Sequence, residues 1–324
     1  MMLEISHLNV AVRSNGEWLP ILSDLNLAIG ENETLGIVGE SGSGKSMLAL
    51  AITQLLLPSS SFEVTGDVTY QKRNLLELTP QEMSKVRGAG IGIIFQEALG
   101  ALNPVVRIGV QIVEALRQHR SLTAGEARSE AIGLLRDVRI PEPEVRIDDF
   151  PHQLSGGMRQ RVMIAMVLAC SPRLIIADEP TTSLDVTIQS QILAMLRELR
   201  ESRKLSMVFI SHNLGAVAAI SDRVAVMYAG QIVEIGSASD IFQRPRHPYT
   251  RALLSAIPRV DRVSDLAVIP GAIPRFDALP IGCRFAPRCG FRSAECSSPQ
   301  FLLGKEIAVR CSRSDELADM RALS

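Results

Sequence analysis

Alternation of apolar and polar residues predicts β-strands near the start of the chain. In Leu3–Val12 and Leu22–Ile29 the apolar side chains lie largely at every second position, as in half-buried antiparallel strands. Thr34–Gly39 is instead apolar almost throughout, which is typical of a buried parallel strand. Further strands are predicted at Gly90–Phe95, Arg173–Asp178 and Leu205–Ser211.

Helical segments separate these strands. Met47–Leu57 is compatible with a helix that Pro58 ends, and Val186–Arg203 is helical between two predicted strands. Residues 97–170 read as a mainly helical insertion. The resulting β-α-β alternation predicts an α/β fold with a parallel sheet and crossover helices.

The last part of the chain has a different character. Arg223–Gly236 alternates around Ala229–Gly230, which predicts a hairpin. Beyond Ser237, prolines interrupt a segment with little periodicity. We therefore place a domain boundary near residue 240, with one domain over 1–240 and a second unit over 241–324.

A glycine-rich loop follows the first buried strand and precedes a helix. It fits the pattern G-x-x-x-x-G-K-[ST] completely and consists of Gly39, Glu40, Ser41, Gly42, Ser43, Gly44, Lys45 and Ser46. Its backbone N–H groups can turn inward around a phosphate, Lys45 supplies a positive charge, and the Ser46 hydroxyl can ligate Mg²⁺. The alternative, a flexible Gly/Ser turn, does not explain the strand-loop-helix order.

Two adjacent carboxylates end another buried strand. Asp178 and Glu179 follow the apolar run from Leu174, and such a placement is costly unless a cation or a substrate uses it. Because consecutive side chains at a strand end point apart, Asp178 is predicted to reach Mg²⁺ while Glu179 faces the γ-phosphate and polarises water. Gln96 and His212 follow two other strands at the same edge, although each alone is typical of an ordinary polar loop residue.

A second helix start carries glycines. Leu154-Ser155-Gly156-Gly157-Met158 precedes a helical run to Ala169, and exposed N–H groups at such a start bind anions. One nucleotide needs one phosphate cradle, so a second cradle predicts that the two meet across a dimer. A plain serine N-cap is the alternative interpretation.

Composition narrows the functional classes. The 324 residues carry 34 Lys+Arg and 35 Asp+Glu, so no overall basic field attracts nucleic acid. Aromatic residues are 4% of the chain, against 46% hydrophobic residues, which disfavours a stacking platform for single-stranded nucleic acid. We see neither an apolar run of about 20 residues nor a secretory signal, so the expected compartment is the cytoplasm.

Together these motifs resemble the ATP-binding subunit of an ABC transporter. Gly39–Ser46 is similar to its Walker A loop, Gln96 to the Q-loop glutamine, Leu154–Met158 to the LSGGM signature, Leu174–Asp178 to the Walker B strand, Glu179 to the catalytic base, Ser183-Leu184-Asp185 to the D-loop, and His212 to the switch histidine. The resemblance implies a P-loop NTPase cassette with a RecA-like parallel sheet core, an antiparallel β subdomain and a helical subdomain near 97–170. It also implies ATP with Mg²⁺ held near Ser46, Gln96 and Asp178, and a γ-phosphate sensed by Gln96 and His212.

More narrowly, the chain resembles the oligopeptide/dipeptide importer subgroup. The features that carry this are Asn103-Pro104, Pro151-His152-Gln153, the segment from His247 to Leu254, and Gly282–Cys289 in the C-terminal extension. The resemblance implies two cassettes that sandwich ATP between Walker A of one and Ser155, Gly156 and Gly157 of the other. The second cassette is a second copy or a paralogue.

The same resemblance implies membrane partners that this chain does not itself contain. Two permease subunits fed by a solute-binding protein are expected, with this subunit peripheral on the cytoplasmic face of the inner membrane. Residues from about Ala98 to Val113 are the expected docking surface, unless they are only a helical cap. Peptides are the expected cargo, with nickel complexes or glutathione-like solutes as alternatives.

Two other functions fit less well. A soluble ABC ATPase acting on nucleic acid typically brings coiled-coil arms or two fused cassettes, and an exporter half needs membrane helices. One cassette with no basic tail argues against the first, and the cysteine-bearing extension argues against the second.

Four cysteines fall near the end of the chain: Cys283, Cys289, Cys296 and Cys311. They lack the paired C-x2-C spacing of a zinc ribbon, and a reducing cytoplasm disfavours disulfides, so structural thiols remain an alternative. Some proteins that resemble this chain carry a [4Fe–4S] cluster here, which we favour over Zn²⁺, and nearby arginines would offset the cluster's charge. Cys170 is expected to be a small core residue.

One departure from the family pattern concerns the base of the nucleotide. An aromatic residue near the end of the first strand usually stacks on adenine in this family, whereas Val12 occupies the corresponding place. Trp18 is a possible substitute. We still expect ATP to be preferred over GTP.

Overall fold

The computed structural model describes residues 1–182, 184–256 and 269–318. Its strands are β1 (Leu3–Ser14), β2 (Glu17–Ile29), β3 (Thr34–Val38), β4 (Phe62–Tyr70), β5 (Arg73–Asn74), β6 (Ile91–Ile94), β7 (Leu174–Asp178), β8 (Ser206–Ile210), β9 (Arg223–Tyr228), β10 (Gln231–Ser237) and β11 (Ala308–Val309). Its helices are α1 (Lys45–Ile52), α2 (Pro80–Val86), α3 (Ala98–Ala101), α4 (Ile108–His119), α5 (Ala124–Asp137), α6 (Pro143–Arg146), α7 (Gly156–Ala169), α8 (Val186–Arg203), α9 (Leu214–Ile220), α10 (Ala238–Gln243), α11 (Pro248–Ser255) and α12 (Ser314–Ala318).

A seven-stranded sheet forms the centre of the molecule. Its order is β11-β10-β9-β3-β8-β7-β6, and the neighbours from β9 to β6 pair in parallel. Every residue of β3, β7 and β8 is buried. This explains why these segments read as continuous apolar runs, since helices cover both faces of such a sheet. The predicted parallel α/β core is therefore confirmed.

A second, antiparallel sheet has the order β2-β1-β4-β5. The predicted strands at the start of the chain pair with each other, from Leu3 with Ile29 to Ser14 with Glu17. No element was predicted between Pro58 and Gly90, where β4, β5 and α2 lie. The apolar residues of β4, Phe62, Val64, Val68 and Tyr70, do lie at every second position. The strand was missed because Gly66, at φ +102°, interrupts this alternation, and most of the strand's residues are exposed or half-buried.

Helices α3 to α7 fill the region predicted as a helical insertion. α4, α5 and α7 share a buried cluster that includes Ile112, Leu135 and Ile164. Thr123 caps α5 by accepting the Glu126 N–H at 3.3 Å while the Glu126 carboxylate accepts the Thr123 N–H at 2.9 Å. Across the described ranges, no helix combines the length and apolar character needed to cross a membrane.

The C-terminal extension shares the cassette's core. β11 pairs with β10, with Val309 opposite Glu234. The ring of Phe285 lies 5.3 Å from those of Tyr228 and Tyr249, and all three residues are buried. The helices α10 and α11 were not predicted, because their short helical periods lie among prolines.

Candidate functional site

The glycine-rich loop lies between β3 and α1, as predicted. α1 begins at Lys45, directly after Gly44 at φ +101°. The Lys45 Nζ donates to the carbonyl oxygens of Gly39 at 2.9 Å and Glu40 at 3.0 Å. Burial lowers the pKa of this ammonium group, while the charges of Glu179, Asp178 and Glu40 oppose the shift. The loop thus holds a cation against the first turn of a helix, which is a geometry suited to phosphate.

Close backbone approaches fix two glycines around this loop. A Cβ on Gly39 would lie 2.2 Å from the Met227 carbonyl oxygen, and one on Gly230 would lie 1.9 Å from that of Ile21. The Gly230 N–H donates to the Ser43 carbonyl at 2.9 Å, and the Gly230 carbonyl accepts the Ser23 N–H at 2.9 Å. The turn between β9 and β10 therefore ties the phosphate loop to β2.

The two predicted carboxylates differ sharply in their surroundings. Asp178, the last residue of β7, is 9% exposed, and its Oδ1 has no hydrogen-bond partner. Burial raises the pKa of the Asp178 carboxyl, the Ser46 hydroxyl and Lys45 oppose this shift, and Glu179 adds to it. A buried carboxylate oxygen without a partner, beside a serine hydroxyl, is the arrangement that a divalent cation would complete.

Glu179 is the centre of a polar cluster. Its Oε2 accepts hydrogen bonds from Gln96 Nε2 at 3.3 Å and Thr182 Oγ1 at 2.8 Å, and lies 3.1 Å from His212 Nδ1. Glu179 itself has φ +48°, a left-handed conformation that is uncommon outside glycine and is found at functional sites. The ends of β6, β7 and β8 thus bring together the three strand-end residues that the sequence predicted.

Thr182 was missed by the sequence analysis. Nothing in its local pattern distinguishes it from an ordinary loop threonine. Only its spacing, three residues after Glu179, could have indicated a hydrogen bond back to that carboxylate.

A cavity of about 670 Å³ opens over these groups. Its walls include Lys45 and Ser46 from the phosphate loop, and Gln96, Glu179 and His212 from the strand ends. Ile21 and Phe276 also line it, whereas Val12 and Trp18, the two positions considered for base stacking, are not among its lining residues.

The second glycine-bearing helix start lies away from this cavity. Ser155 caps α7 by accepting the Met158 N–H at 3.4 Å. Ser155, Gly156 and Gly157 do not line the cavity over the phosphate loop. A Cβ on Gly157 would lie 2.7 Å from Ile188 Cγ2, so this end of α7 packs closely on α8. Of the predicted D-loop, Ser183 lies outside the described residues.

The four extension cysteines are half-buried free thiols. The Cys283 N–H donates to the Cys296 carbonyl at 2.9 Å, which brings two of their segments together. Burial raises the pKa of Cys283 to about 11, and the neighbouring thiols of Cys296 and Cys311 act in the same direction. Burial also raises the pKa of Cys289 and Cys311. In the three described ranges, no three His, Cys, Asp or Glu side chains are arranged to hold a single metal ion.

Comparison with known proteins agrees with this geometry. Residues 22–182 match the family described as ABC transporter, and residues 233–296 match the oligopeptide/dipeptide transporter C-terminal region. The chain is 50% identical over 300 residues to a putative peptide import ATP-binding protein of Brucella melitensis, covering 92% of this chain and 90% of that protein. It is 42% identical over 327 residues to the dipeptide transport ATP-binding protein DppD of Bacillus subtilis, covering 100% and 98%.

Solved structures give the same fold. A dimeric ATP-binding cassette in a post-hydrolysis state, bound to ADP and Pi, superposes with a TM-score of 0.66 at 28% identity, over 73% of this chain and 99% of that one. The protein cbiO1 of Clostridium perfringens, part of the ABC transporter complex cbiONQ, superposes with a TM-score of 0.64 at 26% identity, over 74% of this chain and 90% of that one.

A phosphate loop and a carboxylate pair at the edge of this sheet define an ATPase of the ABC class. The chain belongs to the ATP-binding subunits of the oligopeptide/dipeptide ABC importers. It binds and hydrolyses ATP to drive transport.

Proposed function

We propose that this subunit drives the import of di- or oligopeptides, with nickel complexes or glutathione-like solutes as the alternative cargo. The observation that carries the proposal is the polar cluster on Glu179, beside a phosphate loop, in a chain whose relatives are named for peptide import. The match of residues 233–296 to the oligopeptide/dipeptide C-terminal region supports the same cargo.

The site residues take the following proposed roles. Glu179 polarises the attacking water, and Gln96 and His212, both in contact with its Oε2, sense the γ-phosphate. Lys45 and the backbone of Gly39–Ser46 hold the phosphates. Asp178 and Ser46, with Gln96, hold Mg²⁺, for which the unpartnered Asp178 Oδ1 leaves a place. When bound, Mg²⁺ neutralises charge on the transferred phosphoryl group.

A second cassette completes the site in this proposal. Ser155, Gly156 and Gly157 lie outside the cavity of their own chain, at an exposed helix start suited to anions. They would therefore serve the nucleotide of a partner, either a second copy or a paralogue. The similarity to a cassette solved as a dimer supports this pairing.

We further propose that a permease subunit docks beside Gln96. An apolar cavity of about 250 Å³ lies next to the preceding residue, Phe95, which lines it together with Met163 and Met166. Val105 and Val110, within the predicted docking segment 98–113, are 78% and 54% exposed. This role implies two permease subunits, a solute-binding protein and a peripheral location on the inner membrane. Nucleic acid is not a partner in this proposal.

The extension cysteines are proposed to hold a [4Fe–4S] cluster, with Zn²⁺ as the alternative. One Zn²⁺ needs thiolate sulfurs about 4 Å apart, because each Zn–S bond is roughly 2.3 Å, whereas a four-iron cluster accepts ligands that stand further apart. Beyond the effect of burial, Cys296 and Cys311 raise the pKa of Cys283, and Cys289 and Cys296 raise the pKa of Cys311, which supports four thiols near one another. Among the described residues, no three such ligands are arranged for a single metal ion. Anaerobic purification followed by iron, sulfide and zinc analysis tests this, with Cys289→Ser against Cys170→Ser as control. If the wild type and both variants were all free of iron, sulfide and zinc, the proposed cluster would be contradicted.

The transport role is tested by reconstitution. The subunit would be purified with its permeases, placed in vesicles with the solute-binding protein, and supplied with ATP and a labelled dipeptide or pentapeptide. We expect ATP-dependent uptake that unlabelled peptide competes and that Glu179→Gln abolishes. Competition by a nickel complex or glutathione, but not by peptides, would assign the alternative cargo.

A further inference from the structure

The cavity over the phosphate loop is lined by an aromatic residue that the sequence motifs do not include. The cavity is lined by Phe276 and Ile21 in addition to the phosphate loop and the strand-end residues. Phe276 belongs to the C-terminal extension, 231 positions beyond Lys45. Val12 and Trp18 do not line the cavity, and Trp18 is 45% exposed.

A tight turn presents the Phe276 ring. The Ala278 N–H donates to the Arg275 carbonyl at 2.9 Å, which places Phe276 at the tip. The Arg275 guanidinium donates to both carboxylate oxygens of Asp277, at 3.1 and 2.8 Å. Ile273 before the turn and Leu279 after it pack against the main hydrophobic core. The ring is therefore carried on a short segment that is anchored at both ends.

The same segment is tied to the phosphate loop. Arg288, whose side chain is 5% exposed, donates through Nε to the Pro270 carbonyl at 2.8 Å. Its Nη1 donates to both carboxylate oxygens of Glu40 at 3.1 Å. One buried guanidinium thus sets the position of the Phe276 segment relative to the loop that holds the phosphates.

We propose that Phe276 is the aromatic residue that contacts the nucleobase, with Ile21 as its apolar neighbour. A purine ring needs an apolar or aromatic face on the side of the cavity away from the charged phosphate groups. The extension then takes part directly in nucleotide binding. This inference concerns the ATPase alone and does not depend on which solute is transported.

Equilibrium binding to the full-length chain tests the contact. Affinities for Mg·ATP and for Mg·tripolyphosphate, which lacks base and ribose, would be measured for Phe276→Ala, Phe276→Tyr, Trp18→Ala and Phe301→Ala. We expect Phe276→Ala to weaken ATP binding about tenfold, as for loss of one base–aromatic stack, and to leave tripolyphosphate unchanged. Phe276→Tyr should restore ATP affinity. Phe301, an exposed phenylalanine of the same extension, is the matched control.

Each result decides the assignment. Equal losses for ATP and tripolyphosphate would show that Phe276 only supports the loop, and no loss for either would show that it does not meet the nucleotide. If Trp18→Ala weakened the binding of ATP alone and Phe276→Ala had no effect, Trp18 would be the residue that contacts the nucleobase. Any of these three outcomes overturns the proposal.

Fluorescence gives a second test that does not rely on a deletion. The sequence has one tryptophan, so Phe276→Trp combined with Trp18→Phe leaves a single reporter at position 276. We expect ATP to quench or shift its emission and tripolyphosphate to leave it unchanged. Identical responses to both ligands would contradict base contact.

Discussion

Charged groups are buried in two regions of this molecule, and the two regions differ in how these groups are hydrogen-bonded. At the edge of the central sheet, Asp178 keeps an oxygen without a partner. At the junction between cassette and extension, Glu234 is fully buried and accepts the N–H groups of Arg246 at 2.7 Å and His247 at 3.0 Å. Burial raises the pKa of both carboxyls. The Asp178 carboxylate thus has an oxygen without a hydrogen-bond partner, whereas both oxygens of Glu234 accept backbone N–H groups.

The buried cationic side chains of the two regions differ in the same way. Lys45 at the sheet edge is held by two carbonyl oxygens of a loop whose helix start faces the cavity. Arg310 at the junction is 4% exposed and donates to the Ile232 carbonyl at 3.0 Å, the Gln300 carbonyl at 2.9 Å and the Asp24 carboxylate at 3.2 Å. The difference indicates that substitutions at the edge should change turnover, and those at the junction should change stability.

The largest effect is expected from Glu179→Gln. Removing a general base lowers turnover by roughly 10²–10⁴-fold, while the amide keeps the size of the side chain and leaves ATP binding intact. Steady-state phosphate release and ATP binding measure the two effects. Thr182→Ala, which removes one hydrogen bond to the same oxygen, is the control and should reduce turnover far less. Wild-type-like phosphate release in Glu179→Gln would refute its assignment as the base.

Next in size is a matched pair of isosteric changes, Glu234→Gln and Asp178→Asn. In Glu234→Gln an amide NH₂ faces backbone N–H groups, so we expect a loss of about 1–3 kcal/mol in the free energy of unfolding. Asp178→Asn removes a buried charge that has an unpaired oxygen, so its stability should change by less than about 0.5 kcal/mol or increase. Urea unfolding measures both variants. Equal destabilisation would remove the distinction between the two regions.

Lowering the pH should destabilise the folded protein through His247, which lies at the junction between cassette and extension. Burial lowers the pKa of His247 from 6.5 to about 3. Between these values the unfolded chain binds a proton that the folded chain does not, so stability falls as the pH drops, by about 1.4 kcal/mol per pH unit for this group. The charged neighbours of His247, Glu234 and Arg310, stay in place when only His247 is substituted.

The comparison is wild type against His247→Asn. Asparagine keeps an acceptor for the α11 cap, which His247 Nδ1 now provides to the Tyr249 N–H at 3.0 Å. The slope of unfolding free energy between pH 6 and pH 5 should be smaller in the variant. Parallel pH profiles would place the acid sensitivity elsewhere.

The smallest effect is expected from a substitution at a contact between the two regions. Arg288→Met removes the ion pair with Glu40, so the phosphate loop loses one support and we expect ATP affinity to fall about two- to fivefold. Arg244→Met, which breaks an exposed pair with Asp240 on α10, is the control and should not change affinity. An unchanged ATP affinity in Arg288→Met would mean that the extension does not support the loop.

Local patterns were enough to predict which residues meet at this edge of the central sheet. Each of Gln96, Asp178 and His212 sits at the end of an apolar strand, and parallel strands bring such ends to one edge regardless of the rest of the fold. The phosphate loop was predictable for the same reason, because its strand, loop and helix are consecutive.

What the sequence did not predict depends on distant contacts. Phe276 lies in a proline-interrupted segment without periodicity, and only the folded extension brings it to the cavity. The burial of Glu234 depends on backbone N–H groups of Arg246 and His247, which no spacing rule indicates. For the base, the family pattern pointed only to Val12, which is not aromatic, with Trp18 as a substitute, and neither residue lines the cavity.

The turn at Ala229–Gly230 is a poor site for an inserted tag or label. Hairpin turns usually accept inserted tags, yet here Ala229 is fully buried, its carbonyl binds Arg284, and Gly230 binds Ser43 and Ser23. An insertion at this turn would separate three parts of the molecule at once. The exposed turn at Asn15–Gly16 offers a site for a fluorophore that leaves the nucleotide cavity intact, with Gly16 itself kept because of its φ of +88°.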